Sequence, residues 1–337
     1  MRQTITLIYN QPHQDRYGFM GEEEAIVSVL GSVNAVHRAL NEQGYSVVRF
    51  PLSPPLEQAQ NKLRELKGGL VFNLFEGFDD CPETEAAIAK TLAELGLIYT
   101  GCPSDVLALA LNKSRTKAIL ESISIDTPRS QLLSPETLFM FDLGYPCIVK
   151  PEGEDASHGL TEDSVVYDSN QLERQVSKIS QLFGGKALVE EFINGREFNI
   201  TVWGTREPST LPISEIVYSL PDDLPRILTF DAKWDKKSTY YKCTKAVCPA
   251  VISAELRNKI DSIAVSVFKV LNCSGYLRLD MRASNNDCPS VIEVNPNPDI
   301  SPGTGAARQA RANGLRYSQF IGKIVSLAVE RAELVPS

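Results

Sequence analysis

The first hundred residues alternate strand and helix signals, and this alternation restricts the amino-terminal part of the chain to an open α/β layer. A strand pattern covers 4–9. From 22 to 40 the apolar residues Ile26, Val29, Leu30, Val33, Val36 and Leu40 recur at helical spacing, and Gly44 closes the unit before a strand at 46–50. Further strands are expected at 69–74 and 97–101, with a helix at 83–95 between them. Ligands of such sheets lie beyond the carboxyl ends of the strands, so Asn10, Asn73, Glu76 and Gly101 are expected near a site. After Asn112 the pattern changes to a helix at 113–122 and short strands at 147–150, 164–167 and 187–192, a smaller α+β unit. Longer strands at 198–203 and 213–218, a helix at 254–271 and a terminal helix at 315–331 follow. At 337 residues the chain exceeds one ordinary core, and the expected division is 1–102, 103–186 and 187–337.

Two late segments carry the most chemistry. In 276–281 and 291–295 polar and apolar residues alternate with the period of strands, so Arg278 and Asp280 share a face of one strand, and Glu293 and Asn295 a face of the next. The polar stretch 284–287 between them predicts an antiparallel pair. Two such faces side by side give an oxygen-rich patch, Asp280, Glu293 and Asn295, with a cation beside it, suited to Mg²⁺ with a nucleoside triphosphate. The alternative is a surface hairpin with solvated charges. Flanking apolar residues and the Pro-rich turn after Asn295 favour the metal site.

A formal charge of -8 with scattered basic residues argues against nucleic acid as the main partner. No apolar run approaches the roughly 20 residues of a membrane span, and the first residues lack a signal-peptide pattern, so a cytoplasmic placement and no membrane partner are expected. Seven cysteines without a C-x-x-C pair, together with three histidines, disfavour a zinc site or a disulfide framework. Cys147 reads as a small core residue.

No phosphate-binding G-x-x-x-x-G-K-[ST] loop is present, and Gly303-Thr304-Gly305-Ala306-Ala307-Arg308 misses G-x-G-x-x-G at its last position. Lys150 ends a strand and precedes the loop 152–159, whose glycines and small residues let backbone N-H groups approach a phosphate. Lys113 is a second candidate phosphate cation. For both lysines, plain solvation is the alternative.

Five segments together resemble the D-alanine-D-alanine ligase-like branch of the ATP-grasp enzymes. Leu97-Ile98-Tyr99-Thr100-Gly101 and Asn112-Lys113-Ser114-Arg115-Thr116-Lys117 resemble the family's L-P-Y-T-G and D-K-x-x-[ST]-K segments. Pro146-Cys147-Ile148-Val149-Lys150-Pro151 resembles its P-x-[IV]-[VI]-K-P strand, residues 189–197 its adenine and ribose hinge, and Asp280, Glu293 and Asn295 its metal ligands. The resemblance implies a three-domain α/β fold: an open parallel sheet, a small central α+β unit and a carboxyl-terminal antiparallel sheet. It implies ATP and Mg²⁺ (or Mn²⁺) as cofactors, small carboxylic acid and amino acid substrates, and a homodimer. By position, Lys113 and Lys150 would contact phosphates, Glu190 and the backbone at Phe192 and Ile193 the adenine, Glu197 the ribose, and Lys233 the ATP. Arg278 would hold a developing acyl phosphate. Lys233 and Ser157 join it as candidate catalytic residues.

Departures from the family fall where substrate is read. Three polar residues that surround the first amino acid in true D-alanine-D-alanine ligases align with Val27, Ala156 and Trp234, and Glu24 is a candidate substitute for the first. Glu76 stands in place of the family's loop His, and His158 is either a substrate or phosphate contact or a solvated loop residue. The lengthened loop at Asn297-Pro298-Asp299 leads to Ser301 and Gly303 as substrate contacts, with Arg308, or Arg311 one turn later, placed to receive an amino acid carboxylate. The resemblance therefore implies a carboxylate-amine ligase working through an acyl phosphate, not a strict D-alanine-D-alanine ligase. The alternatives are that reaction itself, a mycosporine-type ligase joining an amino acid to a non-peptide acceptor, and a catalytically silent nucleotide-binding regulator.

Overall fold

The computed structural model describes residues 2–11, 22–78, 81–152, 160–284 and 286–334. Four parallel strands, β1 (Thr4–Asn10), β2 (Ser46–Leu52), β3 (Leu70–Leu74) and β4 (Ile98–Tyr99), form the first sheet in the order β2-β1-β3-β4. They are joined through α1 (Glu22–Glu42), α2 (Leu56–Leu63) and α3 (Glu83–Glu94). Helix α4 (Ser104–Ala110) leads into α5 (Lys113–Ser122), which starts where Asn112 caps the Arg115 amide. Helix α2 carries only Ala59 and Leu63 as fully buried residues, too few to show a helical period in the sequence.

The second sheet is antiparallel: β5 (Ser130–Leu133), β6 (Cys147–Pro151), β7 (Val165–Val166) and β8 (Ala187–Glu191), ordered β5-β8-β6-β7. Helix α6 (Ser169–Phe183), capped by Asp168, covers one face and buries Leu172, Val176 and Ile179 over Cys147, Val149 and Val189. Cys147 is fully buried, and burial pushes its thiol up to about 11, as a core residue requires. Strand alternation leaves Ile148, Lys150, Leu188 and Glu190 on the opposite face. Because β8 pairs with β5 and β6, this sheet continues to Glu191 rather than ending at 186.

The third sheet comprises β9 (Arg196–Gly204), β10 (Ser209–Thr210), β11 (Ser214–Tyr218), β12 (Thr244–Val247), β13 (Gly275–Ala283) and β14 (Pro289–Pro296). Its order is β12-β11-β9-β13-β14, with β10 also on β9. Short helices α7 (Phe230–Trp234) and α8 (Thr239–Cys243) precede α9 (Ala254–Val270). Helix α9 packs Leu256, Ile260, Ala264 and Val267 into the cluster containing Phe198, Ile200, Val202, Leu277, Leu279 and Met281. The alternate residues of β9 and β13 therefore face away from α9. Gly195 is fixed by close approach, since a Cβ there would overlap the Ala283 carbonyl. After β14 come α10 (Gly305–Ala312) and α11 (Tyr317–Leu334), the latter returning to α1 and sharing its core through Phe320, Ile321 and Ile324. No described helix is long and apolar enough to cross a membrane.

The hairpin of β13 and β14 is antiparallel as expected, but its alternation is not continuous. Asp280 pairs with Glu293 and Met281 with Val291, so Ile292 is an extra residue, a β-bulge. Val291 and Val294 both enter the core, while Glu293 and Asn295 face away from it.

Candidate active site

Register places the polar residues in rows across the third sheet. Asn199, Asp280 and Glu293 stand opposite one another on β9, β13 and β14, and Thr201, Arg278 and Asn295 form the next row. Residues directly opposite on neighbouring strands project to the same side, so the rows make one polar face. Arg278 grips Asp280 bidentately, Nε and Nη2 each donating at 2.8 Å. Asn295 Nδ2 donates to Asp280 Oδ2 at 3.1 Å and to Glu293 Oε2 at 3.4 Å. Lys113 Nζ lies 3.9 Å from Glu293 Oε1.

Burial raises the Asp280 carboxyl in spite of Arg278, with Glu293 adding repulsion. Burial opposes ionisation of Glu293 too, but Lys113, Lys150, Arg278 and Lys233 outweigh it and hold that carboxyl below its usual range. Lys233, on α7, is lowered by burial and by Arg278, although Glu293, Asp280 and Glu197 oppose the shift. Arg278 stays charged: burial works against it, but Asp280, Glu293 and Asp299 hold its guanidinium above the ordinary value.

Among the described residues no three His, Cys, Asp or Glu side chains cluster as metal ligands. A cation here would be held by two carboxylates and the Asn295 amide, an all-oxygen donor set suited to a hard divalent ion. The adjacent carboxylates of Asp280 and Glu293 fit such an ion, and rotation of the Asn295 amide exchanges its Nδ2 for Oδ1 at the same place.

The second sheet contributes the opposing wall. Glu190 is 2% exposed and is held by two lysines, Lys117 Nζ at 2.7 Å on Oε1 and Lys150 Nζ at 2.5 Å on Oε2. Burial pushes the Glu190 carboxyl up, but Lys150 and Lys117 prevail and hold it below 4.5. Lys150 also donates to the Ile292 carbonyl at 3.4 Å, joining the wall to the bulge of β14. Its position at the rim thus brings it to Glu190 and β14 rather than leaving it to solvent alone. Lys117 was not singled out from sequence. Its place in the D-K-x-x-[ST]-K segment was the available signal.

At the hinge, the Phe192 amide donates to the Pro146 carbonyl at 2.9 Å, and the Ile193 carbonyl accepts from Gly195 N and Arg282 Nη1, each at 3.0 Å. Of the expected backbone contacts for a base, the Phe192 carbonyl and Ile193 amide are those without such a bond among the described residues. Glu197 accepts from Tyr218 Oη at 2.8 Å and from Arg282 Nη2.

The amino-terminal layer supplies a different kind of residue. Asn10 and Asn73, expected near ligand, are both 4% exposed and shape the loop after β3. Asn10 accepts the Glu76 amide at 2.9 Å and donates to the Gly77 carbonyl, while Asn73 accepts the Phe75 amide at 3.0 Å. Glu76 itself is exposed at the loop surface. Ser301 shares a hydrogen bond with Ser32 of α1 and donates to Asp299 Oδ1 at 2.6 Å. Gly303 has φ of 94° and its carbonyl accepts from Arg308 Nη2 at 2.9 Å. Arg308 is half-buried and its pKa is lowered by burial, whereas Arg311 is exposed. Ser157, His158 and Ala156 lie outside the described residues, as do the side chains of Glu24, Val27 and Trp234. Asn199, Gln309, Arg282 and Asn297 were missed because each is an ordinary polar residue until the fold brings its partner to it.

The family described as "D-ala D-ala ligase C-terminus" matches residues 131–326. An uncharacterized protein, y4sG, of Sinorhizobium fredii is 31% identical over 78% of this chain and 75% of its own length. A D-alanine--D-alanine ligase of Cupriavidus pinatubonensis is 28% identical over 93% of this chain and 90% of its own length. Among solved structures, the D-alanine--D-alanine ligase of Bacillus anthracis superposes with a TM-score of 0.74 at 20% identity, covering 99% of both chains. The VanG D-Ala:D-Ser ligase of Enterococcus faecalis gives the same score at 21% identity, covering 97% of this chain and all of its own. These two likenesses show the shared fold. The family match over 131–326, more than half of the chain and both walls of the cleft, makes this chain a member of the D-alanine-D-alanine ligase family of the ATP-grasp enzymes, an ATP-dependent carboxylate-amine ligase.

Proposed function

We propose that the cleft between the second and third sheets binds ATP with Mg²⁺ and phosphorylates a carboxylic acid, and that an amino acid then displaces the phosphate to form an amide. The observation that carries this reading is the ring of Lys113, Lys150, Lys233 and Arg278 around Glu293 and Asp280. A carboxylate attacking a phosphoryl group brings two anions together, so the barrier is largely electrostatic. Lys113, Lys150, Lys233 and Arg278 offset that repulsion, and Asp280, Glu293 and Asn295 would hold the metal, which supplies further charge neutralisation when bound. Glu197 would receive the ribose, and the Phe192 carbonyl and Ile193 amide the adenine. Glu190 would act beside the base chiefly by holding Lys117 and Lys150. Arg308, with Ser301 and Gly303, would receive the carboxylate of the incoming amino acid.

Two readings of the acid differ in their support. The names of the Cupriavidus and Bacillus ligases favour D-alanine in both positions, and that of VanG favours D-alanine with D-serine. The residues Val27, Ala156 and Trp234, which replace the polar set of such enzymes, and Glu76 in place of a loop His, favour a different acid. The test is ATP-dependent phosphate release with Mg²⁺ across L- and D-amino acids and small carboxylic acids, with product masses. Release with D-alanine alone and a mass of D-alanyl-D-alanine selects the first reading. Release only with another acid selects the second. Binding of ATP with no release from any pair counts against both.

A further inference from the structure

The amide of Asn199 has an orientation fixed by chemistry. Gln309 of α10 is fully buried and bonds to the backbone of β9 at two points. The Thr201 N-H, which can only donate, meets Oε1 at 2.9 Å, and the Asn199 carbonyl, which can only accept, meets Nε2 at 2.8 Å. Oxygen and nitrogen of a side-chain amide are ordinarily assigned by inference. Here the two backbone groups settle which end of Gln309 is which. Nε2 also donates to Asn199 Oδ1 at 2.9 Å. Oδ1 of Asn199 therefore faces α10, and its Nδ2 is turned the other way.

That donor stands in a charged neighbourhood. Asn199 is opposite Asp280, and its row neighbours the one carrying Arg278. Asp280 is already engaged on both oxygens, by Arg278 and Asn295. Among the described residues no acceptor meets Asn199 Nδ2. A Cβ placed on Gly305 would lie 3.5 Å from Asn199 Oδ1 and 3.7 Å from Arg278 Cδ, so the Asn199 and Arg278 side chains both border the start of α10. A half-buried donor on the sheet face that carries the Arg278 guanidinium suits an anion.

We propose that Asn199 is a substrate-binding residue whose Nδ2 donates to the phosphoryl group that ATP transfers, and that Gln309 is the positioning residue that keeps that donor turned toward it. This rests on the reading of Arg278 and Lys233 as the phosphoryl site. It adds a neutral, directional contact to the cations already named.

The test is calorimetric titration of the full chain with Mg-ATP and Mg-ADP, without acid substrate, alongside thermal unfolding. Asn199→Ala is expected to weaken ATP at least about tenfold, the scale of one hydrogen bond to a charged group, while ADP stays within about twofold. Gln309→Glu offers Asn199 only acceptor oxygens, so Nδ2 turns toward them. The same selective loss of ATP is expected with Asn199 untouched. Equal weakening of ATP and ADP, or an unchanged ATP to ADP ratio in either variant, overturns the proposal. Arg278→Ala separates the two levels: if it alone lowers the ratio, only the Asn199 assignment fails. If it too leaves the ratio unchanged, the phosphoryl-site reading fails with it.

Discussion

Asn297 of the carboxyl-terminal loop reaches the start of α4 in the amino-terminal part, its Oδ1 accepting the Cys102 amide at 2.6 Å. Its Nδ2 donates to Glu85 at 3.2 Å, and its own backbone is left-handed at φ 55°. The adjoining Gly101 has φ of 94°, and a Cβ there would overlap the Asn297 amide. The two positions are therefore complementary: one must lack a side chain so that the other can bridge.

Replacing either should loosen the junction. Asn297→Ala leaves the Cys102 amide without its partner and should cost about 1–3 kcal/mol. Gly101→Ala adds backbone strain to the overlap and should cost more. Urea unfolding of both variants measures the order; a Gly101→Ala protein as stable as the parent would contradict the packing described.

Acid should act strongly through Glu190. Its native pKa lies below the 4.5 of an ordinary Glu, so the folded state binds fewer protons there than the unfolded chain. The stabilisation is complete above about pH 4.5 and is lost as pH falls through the lowered native value. Glu190→Gln should be about 3–5 kcal/mol less stable at pH 7, because two lysines lose their shared counterion. That gap from the parent should narrow as pH falls below the native pKa. Unfolding curves at several pH values would show it, and a constant gap would rule out the ionised carboxylate as its origin.

The metal assignment makes a separable prediction. Glu293→Gln should retain the fold yet lower turnover by about 10² or more, the scale seen when one group stabilising developing charge is removed. Chelation of divalent ions should abolish turnover in the parent, and added Mg²⁺ should restore it. Unchanged turnover in Glu293→Gln would remove this residue from the ligand set.

Arg308 is tested by a conservative change. Lysine keeps the charge but loses the planar fork, so Arg308→Lys should raise KM for the amino acid about tenfold while kcat changes little. Arg311→Lys, altered at an exposed position, should be indistinguishable from the parent. The opposite order would reassign the carboxylate contact.

What could be read from the sequence was local and periodic. Helices such as 113–122 were legible because a cap and a run of helix formers coincide in one segment, and α5 has those bounds. Asp280, Glu293 and Asn295 were legible because strand alternation is short-range. Ile292 was not, since a bulge is defined by a partner strand. The same holds for β8, whose sheet is decided by pairing with β5 and β6, and for Asn10, whose side chain is satisfied 67 residues away. Lys117 and Glu190 lie 73 positions apart, and only the packing of α5 against the second sheet makes them a pair.

The bulge at Ile292 has a mechanical meaning. Removing that one residue would leave Glu293 opposite Asp280 and Val291 opposite Met281 in an unbroken ladder, with the same side chains facing the cleft. It would also take away the carbonyl that meets Lys150. The irregularity is therefore a clasp rather than a defect: a straighter hairpin would keep Asp280, Glu293 and Asn295 on the cleft face and forfeit this tie between the third sheet and the second.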